Sequence, residues 1–198
     1  MKLVSLLGMG LLLLMTACQK NLADLPAETI VKPNKDTFVT YTILQGLHYS
    51  DQAPNIAVNY VEQKFQVLFD SSAIYQTTNP SNQGDINKLY GFSDNNQHHH
   101  NFSARFGWRW FNNQLEVFAY VYNNEMLSFK KIGNATIGQS QLYTLKIEEG
   151  NYVFSLAEQM QTLARKSTTP TAIGYKLYPY FGGNEVAPHN IKIVIEEM

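Results

Sequence analysis

The chain has 198 residues, a formal net charge of −1 with 15 Lys and Arg against 16 Asp and Glu, and a single cysteine. That length supports one packed domain. The sparse, balanced charge supplies neither the basic footprint of a nucleic-acid binder nor a polybasic patch for anionic lipid.

Lys2 precedes an apolar run from Leu3 to Leu14, long enough for the apolar region of a signal segment and too short to span a bilayer. Met15, Thr16 and Ala17 then lead into Cys18, where a lipoprotein peptidase would cut. Residues 1–17 are therefore expected to be a lipoprotein signal peptide, with Cys18 the lipidated first residue of the mature chain. Two or more acyl chains anchor a protein stably where one does so only marginally. Lipidated Cys18 can form no disulfide and leaves no catalytic thiol, so stability has to come from packing. Cys18, Gln19 and Lys20 resemble the start of the surface-export signals of Bacteroidota lipoproteins. The resemblance implies an outer-membrane, surface-exposed location with membrane contact through the anchor alone. Residues 18–36, with Pro26 and Pro33 and few aromatics, read as a tether, and residues 37–198 as a single β-sandwich domain.

Within that domain short β-rich runs are separated by Asn, Gly and Pro clusters, the pattern of an all-β, antiparallel two-sheet sandwich or jelly roll. The segment Gln76 to Asn101 reads as a long connection, a kind of loop that often carries function. Phe102 to Tyr122 is the clearest hairpin. Phe102, Ala104, Phe106, Trp108 and Trp110 share one strand face, and Leu115, Val117, Ala119 and Val121 share the matching face of the next strand. Asn112 and Asn113 tolerate the positive φ of a two-residue turn, which sets Trp110 opposite Leu115, Trp108 opposite Val117 and Phe106 opposite Ala119. A one-residue slip would mix the faces, so the pattern specifies the register. Leu127 and Phe129 are expected to follow through a three-residue turn at Asn123, Asn124 and Glu125. Tyr143, Leu145 and Ile147 pair with Leu156, Phe154 and Tyr152. Between Ser155 and Lys166 helix formers such as Ala157, Glu158 and Leu163 compete with strand surroundings, and the expectation is extended or irregular chain. Ile191, Ile193 and Ile195 mark a terminal strand.

The run Tyr143 to Leu156, the Gly-rich segment Tyr178-Pro179-Tyr180-Phe181-Gly182-Gly183 and the Ile-rich end resemble the concanavalin-like jelly roll of lectins, glucanases and polysaccharide lyases. The strings Asp85 to Asp94, His98-His99-His100 and Ala104 to Trp110 are similar to those of a group of Bacteroidota lipoproteins with a lyase-like or lectin-like sandwich. The resemblance spans roughly residues 38–198 and implies a fold without assigning a reaction.

On this pattern Arg105, Arg109, Glu116, Tyr120 and Tyr122 project from one sheet face. Two of the three arginines in the chain lie on it, and Arg suits bidentate carboxylate recognition. With Tyr90, His98 and His100 these residues form a candidate glycan-binding set, against which stands a plain Arg109–Glu116 ion pair beneath covering tyrosines. Trp108 and Trp110 are assigned to the core. In an extended chain His98 and His100 would point together, free to join His48 or His189, while His99 would point away. Zinc on such a histidine pair would need a third ligand, and the usual helical spacing is missing. No cofactor is expected, with calcium on Asp85 and Asp94 as the alternative; the plain reading is a polar loop whose histidines bond to backbone or water.

A retaining glucanase would need two carboxylates about 5 Å apart on one strand, and no Glu-x-Asp-x-x-Glu run exists. β-Elimination from a uronate asks for a group that neutralises the carboxylate and a Tyr or His that removes the adjacent carbon-bound proton, which Arg105 or Arg109 with Tyr120 and one of His98 to His100 could supply. The Arg-x-Glu-x-Arg and Gln-Ile-His motifs of alginate lyases are absent. The leading expectation is thus an envelope lipoprotein that binds a polysaccharide or oligosaccharide on one sheet face. A uronate lyase and a non-catalytic envelope scaffold are the alternatives.

Overall fold

The computed structural model describes residues 38–198. The expected signal peptide, Cys18 and the tether lie outside the described residues. Two six-stranded antiparallel sheets face each other across one apolar layer. The first sheet runs in the order β1 (Phe38–Ile43), β12 (Ile191–Glu197), β3 (Glu62–Phe69), β8 (Ser140–Glu148), β9 (Asn151–Leu156) and β10 (Gln159–Ala164). The second runs β2 (Ala57–Tyr60), β11 (Ala172–Leu177), β4 (Asn87–Ser93), β5 (Phe102–Phe111), β6 (Gln114–Asn123) and β7 (Met126–Ala135). This is the all-β jelly-roll class that the alternating pattern requires.

The register of β5 against β6 follows from side-chain chemistry. Phe111 pairs with Gln114, Trp110 with Leu115, Trp108 with Val117 and Phe106 with Ala119, around Asn112 and Asn113 at φ of 49° and 58°. Phe106 and Trp108 are fully buried. Phe106 meets Phe65, Tyr143 and Phe154 of the opposing sheet edge-on, with ring centres 5.0–5.7 Å apart, an arrangement that aromatic quadrupoles favour. β8 and β9 pair Tyr143 with Leu156, Leu145 with Phe154 and Ile147 with Tyr152. Ser155 to Lys166 resolves as strand: Ala157 and Glu158 form the turn between β9 and β10, Ala157 taking φ of 50°. Tertiary pairing thus overrides helix propensity.

Two expectations need correction. The turn before β7 has two residues, Asn124 and Glu125, both at positive φ, and Asn123 is already paired with Met126. More consequentially, residues 76–101 are no single long loop, because β4 lies within them as an interior strand between β11 and β5. β4 is covered on nearly every residue, so it shows no polar face, and its register shifts between Lys88 and Gly91. Both features erase the period-two signature.

At Gly91 the shifted β4 presses on β5, and a Cβ there would run into the backbone of Ala104 and Arg105. Beyond the end of β4, the fully buried Asp94 accepts from Arg165 Nε at 2.7 Å, from Arg165 Nη2 at 3.1 Å and from the Tyr152 hydroxyl at 2.5 Å. Arg165 also donates to the carbonyls of Thr169 and Thr171, tying the β10–β11 connection to the sheet. Gly91→Ala is expected to lower stability by about 1–3 kcal/mol through overpacking, read as a lower urea midpoint with an unchanged slope.

Candidate functional site

The outer face of the second sheet is built by the residues that β5 and β6 turn away from the core. Arg105 pairs with Tyr120 and Arg109 with Glu116, so two cations stand four residues apart on one strand, each facing a different neighbour. Their surroundings differ in kind. Arg109 donates through Nε to Glu116 at 2.7 Å and through Nη1 to the Gly84 carbonyl at 2.6 Å, and its guanidinium lies over the rings of Phe111 and Phe118. Glu116 is shared with Lys131 at 2.6 Å. Burial alone would raise the Glu116 carboxyl, but the hydrogen bonds from Lys131 and Arg109 outweigh it and hold the pKa below the usual value. Arg109 and Glu116 therefore satisfy one another, as the ion-pair alternative anticipated.

Arg105 is only 6% exposed and makes no ion pair among the described residues. Its Nε has no hydrogen-bond partner. Its guanidinium lies over the Tyr120 ring, 5.7 Å from Cζ, and burial pulls its pKa below the ordinary value. Burying a charge without a partner is costly.

Arg105 lies at the junction of two hollows. One, of about 230 Å³, is lined by Lys88, His99, His100, Arg105, Tyr120, Tyr122, Tyr180 and Gly183. The other, of about 430 Å³, is lined by Tyr49, Pro54, Asn55, His99, Arg105, Tyr175 and Tyr180 among others. Tyr49, on the wall of the larger hollow, and Phe129 are exposed, and the Phe129 ring lies roughly parallel to that of Tyr120 with centres 6.5 Å apart.

Lys88 donates to the Gly182 carbonyl at 2.6 Å. Burial, assisted by the Arg105 charge, brings its pKa down to about 8. Burial, and then Arg105, also push His99 down to about 4, so its imidazole is neutral at neutral pH. Tyr120 is held protonated by burial and by its hydrogen bond with Tyr122.

Of the residues singled out from sequence, Arg105, Tyr120, Tyr122 and His100 line the smaller hollow. His98 adjoins it, its ring centre 4.1 Å from that of His99. Tyr90 does not belong with them: the register shift in β4 turns it inward, 2% exposed, against Tyr41, Phe65 and Tyr178. Asp94 gives its carboxylate to Arg165, while Asp85 accepts from the Asn184 backbone N–H at 3.2 Å. His48 bonds to the Phe181 carbonyl and His189 to that of Ser72, each away from the triple histidine. Four residues of the site escaped sequence reasoning. Lys88 was hidden in the supposed loop, His99 was expected to point away, and Tyr175 carries no local signal. Tyr180 lies in the Gly-rich segment already noted.

No family model matches the chain, and no curated protein matches it. Solved structures do. The alginate lyase AlyC3 superposes with a TM-score of 0.56 at 8% identity, over 83% of this chain and 75% of that one. An alginate lyase from Klebsiella pneumoniae gives 0.52 at 9% identity, over 70% and 58%, and the alginate lyase vAL-1 from Chlorella virus 0.51 at 12%, over 81% and 82%. The protein shares the jelly-roll fold of these polysaccharide lyases.

The two buried arginines give a test with opposite signs. Replacing Arg165 with Met strands the Asp94 carboxylate and is expected to cost roughly 3–5 kcal/mol. Replacing Arg105 with Met removes an uncompensated charge, so the unfolding midpoint of that variant should rise.

Proposed function

We propose that the protein is a lipid-anchored envelope protein that holds a uronate-containing polysaccharide across the outer face of its second sheet, with a sugar carboxylate on Arg105. The observation that carries this reading is the buried guanidinium with no anion of its own. A carboxylate arriving there supplies the missing partner, and hydrogen bonds to a charged group contribute about 1.5–3 kcal/mol each. Tyr120, Tyr122, Tyr175 and Tyr180 surround the point of attachment with rings and hydroxyls, which suits a sugar that presents both an apolar face and polar edges. The surface at Arg105 is hollow and not level, which favours a glycan over a flat protein partner. The cell-surface location rests on the segment ending at Cys18.

A second reading is supported by what else lines the smaller hollow. β-Elimination needs the uronate carboxylate neutralised, the proton on the adjacent carbon removed, and the departing glycosidic oxygen protonated as the C4–O bond breaks and a C4–C5 double bond forms. Arg105 can neutralise the carboxylate. Tyr120, whose hydroxyl keeps its proton, is suited to donate to the leaving oxygen, and a histidine or second tyrosine of the wall to accept the carbon-bound proton. The alginate-lyase neighbours fit this chemistry, although they establish the fold alone.

On an affinity gel containing alginate or another polyuronate, the protein should be retarded, and on neutral glucan gels it should run free. Arg105→Ala is expected to weaken retention at least tenfold; undiminished retention would remove the proposal. A rise in ultraviolet absorbance from unsaturated sugar ends during incubation would assign the elimination, whereas retention without such a rise assigns capture alone.

Retention should also depend on pH through Lys88. Its pKa of about 8 in the free protein lies below the ordinary 10.5, so the lysine is charged below pH 8 and loses its proton above it. Affinity for a polyanion should begin to fall as the pH passes about 8. Lys88→Arg, which keeps its charge, should flatten that dependence.

A further inference from the structure

The three consecutive histidines have a feature that the uronate reading does not use. His98 opens a tight turn closed by hydrogen bonds from the backbone N–H groups of Asn101 and Phe102 to the His98 carbonyl, at 2.8 and 3.1 Å. The turn breaks the alternation that would send the middle ring away. All three imidazoles converge instead, with ring centres 4.1, 4.4 and 5.1 Å apart. One nitrogen from each ring can be chosen so that all three lie within 4.8 Å of one another.

We infer that His98, His99 and His100 form a binding site for a first-row transition-metal dication of the zinc and copper kind. Three neutral imidazoles are the donor set such ions prefer, and three protein ligands leave a fourth position open. Calcium and magnesium, which require oxygen donors, find none in this set. The middle ligand is already oriented from the second sheet: His99 Nδ1 lies 2.9 Å from the Tyr175 hydroxyl, which also accepts the His99 backbone N–H at 3.1 Å. With Nδ1–H donated to Tyr175, Nε2 carries the free lone pair, the outer-shell arrangement that fixes metal-binding histidines. His98 and His100 are exposed; a long hydrogen bond from the His100 backbone N–H to His98 Nδ1, at 3.4 Å, and the Tyr122 ring 5.4 Å from that of His100 are what they would adjust in closing to the roughly 3.3 Å between nitrogens that bonds of about 2.0–2.1 Å to a tetrahedral ion imply.

Glu125 meets the turn through its backbone N–H, which donates to the Asn101 carbonyl at 3.2 Å. The charges that act on the imidazoles are cationic, Arg105 on His99 and His100 and Lys88 on His100, which lowers affinity for every cation. Hard ions held by charge alone suffer most, while ions bound covalently through nitrogen are retained. His99 and His100 line the hollow that contains Arg105, so an oxygen ligand entering from that hollow could complete the coordination. The inference stands apart from the uronate reading, because the ion is bound by protein groups alone.

Calorimetric titration of zinc chloride into the chelator-treated, purified protein, with no glycan present, tests it. One ion per chain is expected, with affinity lowered at least tenfold in His98→Gln/His100→Gln, whose exposed positions leave the fold intact. His48→Gln and His189→Gln should bind as the parent does. Tyr175→Phe should weaken binding several-fold, by loosening the His99 ring. Cobalt substitution should give the intense visible absorption of a tetrahedral site. No saturable heat, or equal affinity in the double variant, overturns the inference. Neither result bears on polyuronate retention.

Discussion

The pairing of β5 with β6 decides which side chains meet the opposing sheet and which meet solvent. Because the side-chain period is two residues, the register that buries Phe106 and Trp108 necessarily sends Arg105, Arg109, Glu116 and Tyr120 to the other face. The core holds that choice in place. Slipping by one residue would expose an indole and a phenyl ring, each worth about 1.5–3 kcal/mol or more of burial, and drive two guanidinium groups between the sheets. The apolar layer and the polar site are therefore consequences of a single geometric constraint.

Within that constraint the three arginines are used in three ways. Arg165 clamps the fully buried Asp94 and closes a connection between strands. Arg109 is bound into a surface cluster with Glu116, Lys131 and the Gly84 carbonyl. Arg105 alone is buried without an anion. A buried charge with no anion to offset it is the kind of local inconsistency expected at functional positions.

Alternation made β5, β6, β8, β9 and the last strand legible in the sequence, since each has one wet and one dry face or a clear apolar stripe. It failed for β4, which is covered on both sides and interrupted by a register shift. The same failure misplaced Tyr90, whose direction depends on the shift, and concealed Lys88. The candidate face was legible as far as it was carried by β5 and β6. Tyr175 and Tyr180 come from chain segments distant in sequence and are brought beside Arg105 only by the β4–β11 pairing and the bridge between Lys88 and Tyr180. No local pattern encodes such a meeting. The triple histidine was visible as a string, but its convergence depends on a turn that an extended reading cannot supply.

Arg105 lines two hollows at once. Under the proposed function, a polymer seated on it would be gripped along its length and need not offer a terminus. If the proposed anchor holds many copies in one membrane, they would share a single strand. Individually weak attachments would add into strong avidity when several engage together, so a sparse carpet of such molecules could hold long polymers while exchanging short fragments freely.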